Sequence, residues 1–108
     1  MNIDYVLNID CRNEDGRLLL QKELKKIKPF VKCKGDVPIA YIEKAIRILC
    51  NKYEYMLKVY ADTMSGEEYI IWKCEITNCK DLSLTSNTYG CSIYECLAKA
   101  VIKLYSER

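Results

Sequence analysis

Hydrophobic and polar positions are most regularly ordered near the C-terminus, where apolar residues recur every three or four positions over residues 93–105. This period predicts an amphipathic helix. The preceding Ser92-x-x-Glu95 is a capping box, in which the Ser92 side chain accepts a backbone amide and Glu95 reaches back to the Ser92 amide. Glu95 and Lys99 fall mostly beside or opposite the apolar stripe. The stripe itself needs a sheet to cover it.

Apolar and polar residues alternate with period two in four other segments, which predicts four strands. The first strand covers about residues 2–10. The second and third strands cover residues 53–61 and 70–77, and the polar residues 62–68 between them predict antiparallel pairing. A weaker fourth strand over residues 82–88 delivers the chain to the C-terminal helix.

Two more helices are expected between the first and second strands. Either Asn13 or Asp15 can cap the earlier helix, and Pro29 stops that helix nearby. Pro38 suits the first turn of the later helix, because a proline there loses no amide hydrogen bond. Apolar residues then follow at helical spacing as far as Cys50.

The resulting order of elements is β-α-α-β-β-β-α. A run of neighbouring strands favours an antiparallel meander, so we expect the α+β class, with an antiparallel sheet and helices packed on it as an α/β sandwich. The 108 residues match a single α+β domain covering residues 1–108, which is long enough for one core.

Composition narrows the functional classes. Half of the residues are hydrophobic, and only four glycines and two prolines interrupt them, as in a folded chain with short loops. The absence of histidine removes the commonest general base and the commonest metal ligand, so we expect a protein that is not an enzyme. A net charge of +2 is too small to indicate nucleic acid. No signal peptide or membrane span is visible, which predicts a cytoplasmic protein.

Seven cysteines without an export signal are expected to be free thiols. The paired spacings Cys74-x4-Cys79 and Cys91-x4-Cys96 supply four thiolates, enough for a tetrahedral zinc ion. Structural zinc sites usually have shorter spacings, however, and Cys74 and Cys96 fall on apparent core faces, where cysteine acts as a small hydrophobe. We therefore predict no metal and no cofactor.

The most polarised region of the chain runs from Arg17 to Lys34 and is called here the basic segment. Its cations can contact the phosphates of a nucleotide or a nucleic acid, and Phe30 offers a stacking surface. A solvated helix face that continues into a lysine-rich loop is the favoured interpretation. The candidate binding residues of this segment are Arg17, Lys22, Lys25, Lys26, Lys28, Phe30, Lys32 and Lys34.

Tyrosine is the second candidate for recognition, since the chain has nine tyrosines and one tryptophan. Aromatic residues beyond the needs of a core often mark interfaces. The tyrosines of the second and third predicted strands cannot all point inward, so we expect a tyrosine-bearing outer face on the sheet. The candidate residues are Tyr53, Tyr55, Tyr60 and Tyr69.

Residues 88–105 contain the pattern Tyr-Gly-x-Ser-Ile-x-Glu-x-x-Ala-Lys. In this they resemble small proteins of phages and prophages in low-GC Gram-positive bacteria, where such a pattern closes an α/β sandwich. Residues 16–22 and 26–30 look similar as well. The resemblance implies a phage accessory protein that works by binding inside the bacterial host cell, as anti-CRISPR and other anti-defence proteins do. This resemblance implies no catalytic residues.

Three functions follow from this resemblance. The first is a stoichiometric inhibitor that occupies a surface of a bacterial defence protein, through the tyrosine-bearing face or the basic segment. The second is a sponge that sequesters a cyclic or other nucleotide immune signal through cationic contacts and aromatic stacking. The third is a structural or housekeeping phage oligomer. A homo-oligomer is compatible with all three, a membrane partner is not expected, and direct nucleic-acid binding is not favoured.

Overall fold

The structure, a computed structural model, describes residues 3–62 and 70–107. Over these residues the chain forms helices first, then three consecutive strands, then a last helix. The α+β class is confirmed. The elements are α1 (Ile3–Leu7), α2 (Glu14–Leu24), a 3-10 turn (Lys28–Phe30), α3 (Ile39–Tyr53), β1 (Tyr55–Asp62), β2 (Ile71–Asn78), β3 (Asp81–Gly90) and α4 (Ile93–Ser106).

The three strands form an antiparallel sheet in the order β1-β2-β3. They correspond to the second, third and fourth predicted strands. In the register, Val59 of β1 lies opposite Cys74 of β2, which lies opposite Thr88 of β3. This alignment defines the two faces of the sheet, because side chains of one strand alternate between faces.

The first predicted strand is wrong, because residues 3–7 form helix α1. Val6 is fully buried and Ile9 nearly so, whereas Tyr5 is 46% exposed. Ile3, Val6 and Ile9 are spaced by three, so the segment that alternates with period two also contains apolar residues at helical spacing. α1 packs against α4, and burial of that three-residue face outweighs the local preference for a strand.

Side-chain caps fix the starts of two helices. The Asn13 side chain accepts the Gly16 amide at 2.7 Å and begins α2. The Ser92 hydroxyl accepts the Glu95 amide at 3.1 Å and begins α4, as the capping box predicts. The other half of the box differs by one residue, since the Glu95 carboxylate accepts the amide of Cys91 at 3.2 Å.

The helices and the sheet form two layers. Contacts join α3 to β1, and α4 to β2 and β3, while α1 and α2 pack on α4. Every buried residue of the described sheet lies on the side that faces the helices, namely Cys74, Ile76, Thr88 and Gly90.

The last helix, α4, is buried on nearly all sides. Residues 95–102 are buried without a break, including the charged Glu95 and Lys99. The sheet covers one side of α4, and the three other helices cover the rest. The side of α4 that carries Glu95 and Lys99, which the sequence placed beside or opposite the apolar stripe, is therefore interior as well.

A ring of hydrogen bonds ties α2 to the segment before α3 and to α4. The Gln21 amide group donates to the Tyr94 hydroxyl at 2.7 Å and accepts the Val37 amide at 2.9 Å. The Tyr94 hydroxyl donates to the Val37 carbonyl at 2.5 Å, which closes the ring. These three polar groups are thereby satisfied inside the helix layer.

We expect Gly16→Ala to destabilise the protein, although alanine is ordinarily the better helix former. A Cβ atom at Gly16 would stand 1.8 Å from the Asp10 carbonyl oxygen, so the loop before α2 would have to move. The free energy of unfolding should fall by about 3 kcal/mol, measured by urea denaturation. The control, Asp15→Ala at the neighbouring exposed position, should change it by less than about 0.5 kcal/mol. Equal stability of the two variants would contradict the close approach at Gly16.

Candidate functional site

The side of the sheet that faces away from the helices is a continuous three-stranded surface, called here the open face. The register places Tyr60, Lys73 and Tyr89 side by side across the three strands. The described helices that pack most closely on the sheet, α3 and α4, lie on its other side, and residues 7–12 border the open face near Ile71 and Tyr89. The open face carries Met56, Lys58, Tyr60, Asp62, Ile71, Lys73, Glu75, Thr77, Thr85, Asn87 and Tyr89.

Lysine ammonium groups lie near tyrosine rings at the centre of the open face. The Lys73 ammonium lies 5.7 Å from the ring centroids of both Tyr60 and Tyr89. The Lys58 ammonium lies 4.9 Å from the Tyr60 ring. A hydrogen bond from Lys73 to the Tyr60 side chain raises the pKa of Lys73. These cation–π contacts hold the aromatic rings in place, so little side-chain entropy is left to lose when a ligand binds them.

Charges on the open face are balanced. Lys58 and Lys73 share the face with Asp62 and Glu75, and Lys58 lies opposite Glu75 in the register. A surface that follows phosphates usually concentrates positive charge. Mixed charges around exposed aromatic residues are more typical of a surface that binds protein.

The basic segment lies on the helix layer, remote from the open face. Its α2 packs on α4, which is on the other side of the sheet. Arg17 forms ion pairs with Glu14 at 2.6 Å and with Asp36 at 2.5 Å. Lys26 forms an ion pair with Glu23 at 2.8 Å. Lys25 is half-buried, and the exposed lysines of the segment are Lys22, Lys26, Lys28, Lys32 and Lys34.

The expected stacking role of Phe30 is wrong. Its side chain is 1% exposed and belongs to the hydrophobic core, so no base can reach the ring. Pro29 places this residue in a 3-10 turn that folds the ring inward. Burial of Phe30 favours the interpretation of the surrounding lysines as a solvated surface of the ordinary kind.

The structure distributes the four candidate tyrosines differently from the expectation. Tyr60 lies on the open face. Tyr53 ends α3 and Tyr55 begins β1, and both rings pack against the core on the helix side with their centroids 6.1 Å apart. They are therefore not part of the outer face. Tyr69 lies outside the described residues.

Sequence reasoning missed Tyr89, Lys58 and Lys73 as members of this surface. Lys58 is two residues from Tyr60 and shares its face by simple alternation. Lys73 and Tyr89 are brought to Tyr60 only by the register between strands. From the sequence, only Lys58 could have been found, by the alternation within β1. The pairing of strands is set by the turns and by the residues that the other face buries, so Lys73 and Tyr89 could not be placed.

An apolar cavity lies on the helix side of the sheet, between α3, β1, β2 and the start of α4, and is called here the α3–sheet cavity. Its volume is about 410 Å³. Ile46 and Leu97 are buried in its wall, and Trp72 of β2 lines it as well. Arg47 and Glu43 of α3 supply its charged groups.

A buried ion pair links α4 to the loop before α2. The Lys99 ammonium lies 2.7 Å from a Glu95 carboxylate oxygen and donates to the Ile9 carbonyl at 2.6 Å. The second Glu95 oxygen accepts the Cys91 amide and the Cys91 thiol, both at 3.2 Å. Both charged groups thus have internal partners that offset the cost of removing them from water.

The cysteines are free thiols in the part of the chain that the structure describes. Burial raises the pKa of Cys11 and of Cys74 to about 12, and that of Cys96 to about 11. Neutral thiols of this kind are poor nucleophiles and poor metal ligands. Among the described residues, no three cysteine or acidic side chains are grouped so that they could hold a metal ion.

Comparisons with known proteins do not assign this chain to a family. No protein-family description, curated protein or solved structure matches the chain. The resemblance to phage proteins therefore stays a prediction. Within the described residues, no helix is both long and apolar enough to cross a membrane.

We expect Lys99→Met to lower the free energy of unfolding by about 3–5 kcal/mol, because it leaves the buried Glu95 carboxylate without its counter-charge. Adding Glu95→Gln should recover part of this loss, since the second change removes the uncompensated charge. Urea denaturation of the single and double variants measures the coupling.

Lys103→Met is the matched control for this cycle, because Lys103 lies one turn further along α4 and is only half-buried. It should cost less than about 0.5 kcal/mol. A double variant no more stable than Lys99→Met alone would show that charge does not couple the two residues.

Stability should fall in alkaline solution because of the core thiols Cys74 and Cys96. Unfolding returns their pKa values from about 12 and about 11 to about 8.5. Above that pH the unfolded chain binds fewer protons than the folded chain, so the free energy of unfolding decreases as pH rises. We expect a loss of about 3 kcal/mol between about pH 8.5 and about pH 10.

Urea denaturation in a reducing buffer at these two pH values measures that loss. The variant Cys74→Ala with Cys96→Ala is the control, and its stability should change less over the same range. An identical pH dependence in both proteins would mean that these thiols do not titrate on unfolding.

Proposed function

We propose that this chain is a non-catalytic phage accessory protein that inhibits a bacterial immune protein by docking onto it through the open face. The supporting observation is the Tyr60–Lys73–Tyr89 row, in which one ammonium group lies near two aromatic rings on the side of the sheet away from α3 and α4. Tyrosine in such settings contributes disproportionately to protein binding.

The composition of the open face favours a protein partner over a nucleotide. Its two lysines are matched by two carboxylates, so phosphate groups would meet repulsion as well as attraction. Met56 adds an adaptable apolar contact that is 52% exposed. The nucleotide-sponge hypothesis loses its clearest support with the burial of Phe30 and the ion pairs of Arg17.

The size of the open face indicates how the partner contacts it. Two strands of eight residues and one of ten span about 26–33 Å by about 14 Å, which is less than the area of about 800 Å² that each partner buries in a stable interface. Contact must therefore extend beyond the sheet face. Leu82, which is 64% exposed at the start of β3, is one apolar residue available for such contact.

The double variant Tyr60→Ala with Tyr89→Ala should abolish the inhibition. Efficiency of plaquing is measured on a Gram-positive host that carries an active CRISPR system, with and without expression of the chain. Binding is measured against the purified effector proteins of that host. The wild-type chain should raise plaquing, and the double variant should bind at least about 30-fold more weakly, as expected for removal of central aromatic contacts.

Tyr41→Ala is the matched control, because Tyr41 is 54% exposed on α3 and away from the open face. It should change affinity by less than about twofold. The proposal fails if the wild-type chain neither raises plaquing nor binds an effector, or if the double variant acts like the wild type. Retention of a nucleotide by the purified chain would favour the sponge. A self-assembly that the double variant disrupts would favour the housekeeping oligomer.

A further inference from the structure

The α3–sheet cavity has the dimensions of a ligand site. Its volume of about 410 Å³ lies within the range of small-molecule pockets, about 300–1,000 Å³. At about 30 Å³ for a water molecule in the liquid, it has room for about fourteen groups of that size. A ligand with a similar number of non-hydrogen atoms would fill it.

The walls of the cavity are apolar. They are formed by Ile46, Leu57, Val59, Trp72 and Leu97, with the half-buried thiol of Cys50 among them. Burial raises the pKa of that thiol, so it stays neutral and adds no charge to the wall. Surfaces of this kind gain free energy when an apolar body displaces water from them.

The two charged residues that line the cavity, Arg47 and Glu43, differ in how they can contribute to binding. Arg47 lines the cavity and, among the residues that the structure describes, forms no ion pair. Glu43 lies one turn earlier on α3 and is exposed, so it can turn towards solvent. A guanidinium group beside an apolar wall binds a carboxylate or phosphate with two parallel hydrogen bonds.

We propose that the α3–sheet cavity binds a small amphiphilic acid, with its apolar body against Trp72 and its acid group on Arg47. This site is independent of the proposed inhibitor function. It lies on the helix side of the sheet, whereas the open face is on the other side, so either assignment can fail without the other.

Dodecanoate is a suitable probe, because it joins an apolar chain to one carboxylate and has about the number of atoms that the cavity admits. Trp72 is the sole tryptophan of the chain and lines the cavity, so its fluorescence responds to a ligand bound there. Titration below the micelle concentration should give a saturable shift of the emission, with a Kd below about 1 mM. Dodecanol, which lacks the charge, should bind about tenfold more weakly.

Two variants test the placement. Arg47→Gln should weaken dodecanoate binding about tenfold and leave dodecanol binding unchanged. Lys44→Gln removes the same charge from the same helix at a position that does not line this cavity, and it should leave both affinities unchanged. Val59→Phe fills the cavity and should abolish the shift, with circular dichroism confirming that the variant is folded.

Several outcomes would overturn the proposal. One is a folded wild-type protein whose Trp72 emission does not respond to dodecanoate. Another is equal loss of binding in Arg47→Gln and Lys44→Gln, or equal affinity for dodecanoate and dodecanol, because the acid group would then not meet Arg47. Binding to phosphatidylglycerol vesicles without binding of free dodecanoate would assign the chemistry to a membrane surface instead of the cavity.

Discussion

The ion pair between Lys99 and Glu95 is the constraint on which the rest of the fold depends. Two charged groups lie inside a helix that is buried along eight consecutive residues. Removing them from water costs several kcal/mol for each ion, and only internal partners can offset that cost. The Ile9 carbonyl and the Cys91 amide supply those partners. One network therefore joins the loop before α2, the turn after β3 and the middle of α4.

The one-sided architecture follows from the burial of α4. Since α4 is interior, the sheet must cover one of its sides and the other helices must cover the rest. All described helices are thus drawn to a single side of the sheet. On the opposite side, away from α3 and α4, lysine and tyrosine side chains of the strands contact one another. The open face is in this sense a consequence of how the core is built.

The two candidate binding surfaces lie back to back on the central strand. Trp72 and Lys73 are neighbours in β2 and point to opposite faces. Trp72 forms a wall of the α3–sheet cavity, and Lys73 holds the tyrosine rings of the open face. The two surfaces differ in chemistry, since the cavity is apolar with Arg47 and Glu43 of α3 among its lining residues, whereas the open face is polar, aromatic and balanced in charge.

The sequence by itself determined the elements whose signals are local. The capped helix at Ser92, the cap at Asn13 and the three strands from β1 to β3 depend on hydrogen bonds and alternation within a few residues. Tertiary structure decided what depends on distant partners. Residues 3–7 became a helix because α4 offered a surface to their three-residue face. Phe30 was buried, and Tyr89 joined Tyr60 through Lys73, because packing and strand register set which residues meet, and neither is encoded in local spacing.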